Sequence, residues 1–139
     1  MHMNDILILY YSKNDSTKKM ARAIARGIES SNLASSSIRT VHSDSYKESD
    51  DILVTKEDLK KCSGMIIGSP THFGNMAAPL KAFFDSTTDE WFNNTLESKL
   101  GGVFTSTSSM HGGQETTLIS MMMPLIHHGM VIALSLIHI

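Results

Sequence analysis

Three short segments of this 139-residue chain carry residue types that could do chemistry. Ser12-Lys13-Asn14-Asp15-Ser16-Thr17 follows an apolar run and precedes a helical pattern. Hydroxyls and backbone N–H groups at the start of a helix hold a phosphate dianion, because the helix dipole is positive there. Lys13 adds positive charge, whereas Asp15 would repel phosphate if its side chain turned inward. Ser16 or Asp15 could equally be a plain helix N-cap, and this loop alone leaves both readings open. Ser69-Pro70-Thr71-His72-Phe73-Gly74-Asn75-Met76 sets an aromatic beside a turn glycine and several hydrogen-bonding groups. Such a set can hold a flat heteroaromatic ring, or form an ordinary turn. Ser106-Thr107-Ser108-Ser109-Met110-His111-Gly112-Gly113 offers hydroxyls and pliant amides to an acceptor-rich ligand, or simply connects two elements.

Each segment needs a strand before it and a helix after it, and the sequence supplies both. Ile6-Leu7-Ile8-Leu9-Tyr10-Tyr11 is continuously apolar, as in a strand buried on both faces of a parallel sheet. Residues 65–68, 102–105 and 130–134 have the same character, and residues 38–41 alternate as an edge strand does. Met20, Ile24 and Ile28 recur every four residues, with Lys18, Lys19, Arg22 and Arg26 on the other faces of the same helix. Thr55 with Asp58 predicts a helix start with a partial capping box, and Pro79 begins another helix. A further helix is predicted over residues 114–128, stopping at Gly129, with a kink or break at Pro124. Serine-rich residues 30–37 and 43–51 are expected to be solvated loops. The alternation predicts a flavodoxin-like, doubly wound α/β domain of five parallel strands in the order 2-1-3-4-5. Ligands of such sheets sit beyond the carboxyl ends of the strands, where all three segments fall.

Composition removes several classes. Twelve basic against 14 acidic residues give a net charge of −2, which argues against nucleic-acid binding. A single cysteine, Cys62, excludes an internal disulfide framework and multi-cysteine metal sites, and is expected to be a small buried residue. No signal peptide and no apolar run of membrane-spanning length is visible, so a cytoplasmic protein without an integral membrane segment is expected. The seven histidines form no metal signature: adjacent His127 and His128 diverge by about 100° around a helix.

The longer motifs resemble a known family. Tyr10-Tyr11-Ser12, Gly68 through Met76 and Thr105 through Thr117 closely resemble the WrbA family of flavodoxin-like, FMN-dependent NAD(P)H:quinone oxidoreductases, and His127-His128-Gly129-Met130-Val131 completes the match. The resemblance runs over residues 6–134. It implies that Ser12, Lys13, Asn14, Asp15, Ser16 and Thr17 wrap the FMN phosphate, and that Thr71, His72 and Phe73 line the isoalloxazine ring. It implies that Ser106, Thr107, Ser108, Ser109, Met110, His111 and Gly112 contact the ribityl chain and the pyrimidine side, with His127 reaching a pyrimidine carbonyl. Trp91 would wall the substrate site, and Asn14 would lie near the nicotinamide nucleotide. The implied reaction is a two-electron, ping-pong hydride transfer from NAD(P)H through FMN to a quinone, in a homo-oligomer, tetrameric in the family. No side chain need act as a catalytic nucleophile and no metal is required.

The sequence departs from the pattern in three places. Asp15 stands where the family has glycine in the phosphate loop, and His72 where some relatives have arginine. The family pattern continues beyond the fifth strand into a glycine-rich loop and a final helix, whereas residues 135–139 leave it. Truncation there is expected to remove the last helix and expose apolar side chains of strands one and three. Other readings of single residues stay open. His127 also suits a helix C-terminus by charge, and spacing alone makes Trp91 packing. Met121, Met122 and Met123 suit core and subunit contacts. Two rival functions accompany the enzyme: a flavodoxin-type electron carrier, and a non-catalytic fragment.

Overall fold

The computed structural model describes residues 3–43 and 50–134. Residues 135–139 and most of the 43–51 segment therefore lie outside the described residues. Five parallel strands, β1 (Asn4–Tyr10), β2 (Ala34–Thr40), β3 (Gly64–Pro70), β4 (Leu100–Ser106) and β5 (Val131–Ile132), form one sheet in the order β2-β1-β3-β4-β5. The connections carry α1 (Ser16–Ser30), α2 (Lys56–Lys61), α3 (Ala78–Asp85), α4 (Thr88–Phe92) and α5 (Gln114–His127). The expected fold is the observed one. Among the described residues no helix is long and apolar enough to cross a membrane.

Alternation along the strands divides the core in two. Leu7, Leu9, Met65 and Ile67 point to one face, where Leu59 of α2, Leu80 of α3 and Met121 and Leu125 of α5 cover them. Ile8, Tyr10 and Phe104 point to the other, against Ala21, Met20, Ile24 and Ile28 of α1. The four-residue spacing in α1 thus does what it predicted. Cys62 is buried where α2 ends, and burial pushes its thiol above the usual range despite the nearby Lys99 charge.

Local signals placed most helix starts. Thr55 and Asp58 complete a reciprocal capping box, each accepting a backbone N–H of the other. Pro79 sits in the first turn of α3, and Pro124 lies inside α5, which runs on without a break to His127.

The serine-rich stretch is a correction. Ser35, Ser36 and Ser37 belong to β2, paired with β1 from Asn4↔Ala34 to Tyr10↔Thr40, instead of forming a solvated loop. Their hydroxyls have local acceptors: Ser35 and Ser37 donate to the Asp5 carboxylate and Ser36 to Glu29. Low strand propensity is overridden by a ready-made partner strand.

The face beside α1 also differs from expectation. Ile8 and Tyr10 are fully buried and Ile66 is half-buried, packed with Phe104 and the apolar stripe of α1. The tip of the Phe104 ring fills the space over Gly68. A Cβ on Gly68 would stand 2.1 Å from the Phe104 ring. Gly68→Ala therefore evicts that ring and lowers unfolding stability by about 2–3 kcal/mol, read by urea denaturation.

A polar lock ties α1 to the chain near the first strand. Tyr10 Oη donates to Asp51, and Arg22 reaches the same carboxylate at 2.5 Å. Burial opposes ionisation of Asp51, but the Tyr10 and Arg22 hydrogen bonds and the Arg22 and Lys18 charges outweigh it and hold its pKa below 3.8. A depressed carboxylate stabilises the fold above its unfolded pKa and loses that contribution as pH falls. Asp51→Asn is thus less stable than the parent at pH 7, and the gap closes below about pH 4 in urea titrations.

Candidate functional site

The three segments singled out by their chemistry meet at the carboxyl edge of the sheet. The loops after β1, β3 and β4 enclose a cavity of about 320 Å³. Its walls are Ser12, Lys13, Asn14, Ser16, Thr17, Pro70, Thr71, His72, Ser106, Thr107 and Ser108. Hydrogen bonds stitch the loops together: Thr17 Oγ1 lies 2.9 Å from Ser106 Oγ, and the Thr71 backbone N–H donates to the Ser106 carbonyl at 3.0 Å. Gly113 adopts φ +93° and packs against the backbone of Gly74, where a Cβ would come within 3.0 Å. Only glycine allows loops two and three to touch there.

The phosphate-loop end has the electrostatics of an anion site. The first helical bond of α1 runs from Lys19 N to Asp15 O, so the amides of Ser16, Thr17 and Lys18 precede the hydrogen-bonded turn. Ser12 Oγ is buried with no hydrogen-bond partner, an expensive arrangement for a hydroxyl unless a ligand meets it. Asp15 answers the charge question raised by its sequence. It holds φ 64° at the N-cap, makes no side-chain cap bond and is exposed, outside the cavity wall. The left-handed backbone keeps its carboxylate off the cradle, as glycine would leave no carboxylate there at all.

The second loop forms a shelf beside this cradle. His72 and Asn75 exchange backbone hydrogen bonds at 2.9 and 3.1 Å, and the His72 ring meets Tyr11 edge-on at 6.2 Å. Phe73 takes φ 53° and is fully exposed, an aromatic with one face free for stacking. Ser109, Met110, His111 and Gly112 form the neighbouring rim without lining the cavity, Met110 and His111 being exposed.

His127 and Trp91 are elsewhere. They line a second cavity of about 370 Å³ with Lys81, Phe84, Asp85, Thr87, Thr88, Pro124 and His128. The two cavities have no wall residue in common. The cause is plain in the topology: α5 starts beside loop three and its 14 residues carry His127 about 20 Å away, toward the other edge of the sheet. Trp91 Nε1 donates to His127 O at 2.9 Å, so the two residues form one unit. The helix that presents Trp91, α4, has no strong sequence signal, being only Thr88–Phe92. Among the described residues no group of three or more His, Cys, Asp or Glu side chains is placed to hold a metal.

A doubly wound parallel sheet with a phosphate-type cradle at its switch point defines a flavodoxin-like protein. A solved WrbA-like flavodoxin from Agrobacterium tumefaciens superposes with a TM-score of 0.76 at 24% identity, over 92% of this chain and 75% of that one. A flavodoxin from the domain Archaea matches with a TM-score of 0.71 at 25% identity, over 93% and 78%. The family described as NADPH-dependent FMN reductase matches residues 5–137, and the chain belongs to it. The NAD(P)H dehydrogenase (quinone) of Chromohalobacter salexigens is 38% identical over 94% of this chain and 70% of its own. That of Paracoccus denitrificans is 40% identical, over 94% and 67%. The resemblance first drawn from the loop motifs is borne out. The cradle's donor set, with its bare Ser12 hydroxyl, fits the phosphate of FMN.

That fit has a two-sided consequence at Ser12. Ser12→Ala is expected to weaken FMN binding about tenfold, the value of one hydrogen bond to a charged group, in flavin-fluorescence quenching titrations. The same substitution raises the stability of the FMN-free protein by up to about 1 kcal/mol, because it removes a buried hydroxyl with no partner.

Proposed function

We propose that this protein is an FMN-dependent NAD(P)H:quinone oxidoreductase. The observation that carries this reading is the cradle of Ser12, Lys13, Asn14, Ser16 and Thr17 beside the Thr71–His72–Phe73 shelf, in a chain of the NADPH-dependent FMN reductase family. When bound, FMN supplies the two-electron chemistry, accepting hydride from a nicotinamide and passing the pair to a quinone. The chain's own residues bind and orient. Amides of Ser16 and Thr17, the Ser12 hydroxyl and Lys13 neutralise phosphate at the helix start. Thr71, His72 and Phe73 hold the flat ring on one side, and Ser106, Thr107 and Ser108 offer hydroxyls to the polyol chain. Exposed Phe73 leaves a free ring face for a flat substrate to approach.

Trp91 and His127 enter this site from a second copy of the chain. Their distance from the cradle along α5 supports this reading, as does their cavity beside exposed Trp91, Phe92, Met123 and Ile126. An apolar surface of that kind suits a homo-oligomer, the assembly we assign, in the cytoplasm. NAD(P)H and then quinone would in turn meet the flavin between the shelf of one subunit and the Trp91 wall of another.

The purified chain is expected to bind FMN, seen as yellow absorbance, and to oxidise NADH or NADPH with benzoquinone present. A colourless protein that FMN cannot reconstitute rejects the reading, and bound FMN with negligible quinone turnover points to an electron carrier. For the shared site, Trp91→Ala and Thr17→Val are each expected to be nearly inactive. Mixing and re-annealing the two regains roughly a quarter of parental activity, because some sites combine two intact halves.

A further inference from the structure

The Trp91–His127 unit is itself held by two residues, Thr87 and His128, that lie outside the three loops and the flavin cradle. Thr87 is 1% and His128 9% exposed, and Thr87 Oγ1 lies 2.8 Å from His128 Nε2. The same hydroxyl lies 2.6 Å from Phe84 O. Two oxygens that close require a proton between them, and a carbonyl has none, so Thr87 donates to Phe84 O. Its oxygen must then accept from His128, which carries its proton on Nε2. His128 Nδ1 is left as a buried lone pair with no partner. The bond spans from the start of α4 to the end of α5, flanking the Trp91 Nε1 to His127 O contact at 2.9 Å. Two hydrogen bonds therefore fix these short helical ends against each other, one on each side.

We propose that Thr87 and His128 are positioning residues that set the Trp91–His127 wall of the substrate site. The proposal rests on the functional reading above for its role in catalysis, and on geometry alone for the latch. The charged groups around it are Glu90 of α4, Lys56 of α2, Lys81 and Asp85 of α3, His127, and Glu97, whose side chain packs on Gly129. Lys56 Nζ sits 3.4 Å from Glu90, so the nearest carboxylate is already paired. Desolvation lowers the proton affinity of His128; Glu90 opposes this, and His127 and Lys56 add to it. The lowered proton affinity favours the uncharged Nε2–H ring, which already supplies the donor of the latch. Protonation would place an N–H on Nδ1, where no acceptor stands among the described residues.

Trp91 is the single tryptophan, so its emission reports the wall directly in the full chain. Thr87→Val and His128→Leu are expected to shift that emission to the red and to raise acrylamide quenching about twofold. Thr87→Ser, which keeps the hydroxyl, and His128→Gln, which keeps an N–H near the Nε2 position, restore the parental emission. In the FMN-loaded protein the first pair raises KM for benzoquinone at least about fivefold with a smaller change in kcat. Acidification below the ordinary histidine range, where the depressed His128 finally gains an unpaired Nδ1–H, red-shifts the parent but not His128→Gln. Folded Thr87→Val and His128→Leu proteins with parental emission and KM overturn the proposal. Failure of the parent to bind FMN rejects the functional reading instead, and the emission arm still decides whether the latch exists.

Discussion

Right-handed crossovers in a parallel sheet send every strand's carboxyl end, and the amino end of the helix that follows, to the same edge. Everything about the cradle depends on that constraint. Loops after β1, β3 and β4 are far apart in sequence, yet they converge because their strands lie side by side in the order β1-β3-β4. Helix α1 brings its unpaired amides to the same edge. No residue had to be recruited across the fold: parallel pairing supplies the convergence, and the Thr17–Ser106 contact only sets its width.

The same constraint separates the two ends of α5. A helix that begins at the ligand edge must finish at the opposite one, and α5 delivers His127 there. One chain thus presents a polar cradle at one edge and an apolar wall with Trp91 toward the other. The two differ in chemistry: a lysine and hydroxyls on one side, a cavity walled by Phe84, Trp91 and Pro124 on the other.

Sequence spacing carried most of the architecture. The continuous apolar run in β1 and the four-residue stripe of α1 are direct images of burial, and both were legible. So were the capping box at Thr55 and the proline in the first turn of α3, since caps are local. What escaped was non-local. Ser35 to Ser37 form a strand because β1 and Asp5 are there to receive them. Helix α4 has five residues, too few for a periodic pattern. The separation of His127 from the cradle follows from helix direction and length, quantities that a motif match does not weigh. The Thr87–His128 contact joins residues 41 positions apart, and only the folded chain brings them together.

Asp15 has a consequence for how a ligand would be met. A glycine at a left-handed N-cap is free to wander in the unfolded chain and in a loosened loop. Asp15, held at φ 64° at some energetic cost, leaves far fewer alternatives once the turn has formed. The work of shaping the anion cradle is then done while the protein folds. An arriving phosphate would then find a receptor already set, and its capture would depend on encounter and desolvation more than on loop ordering.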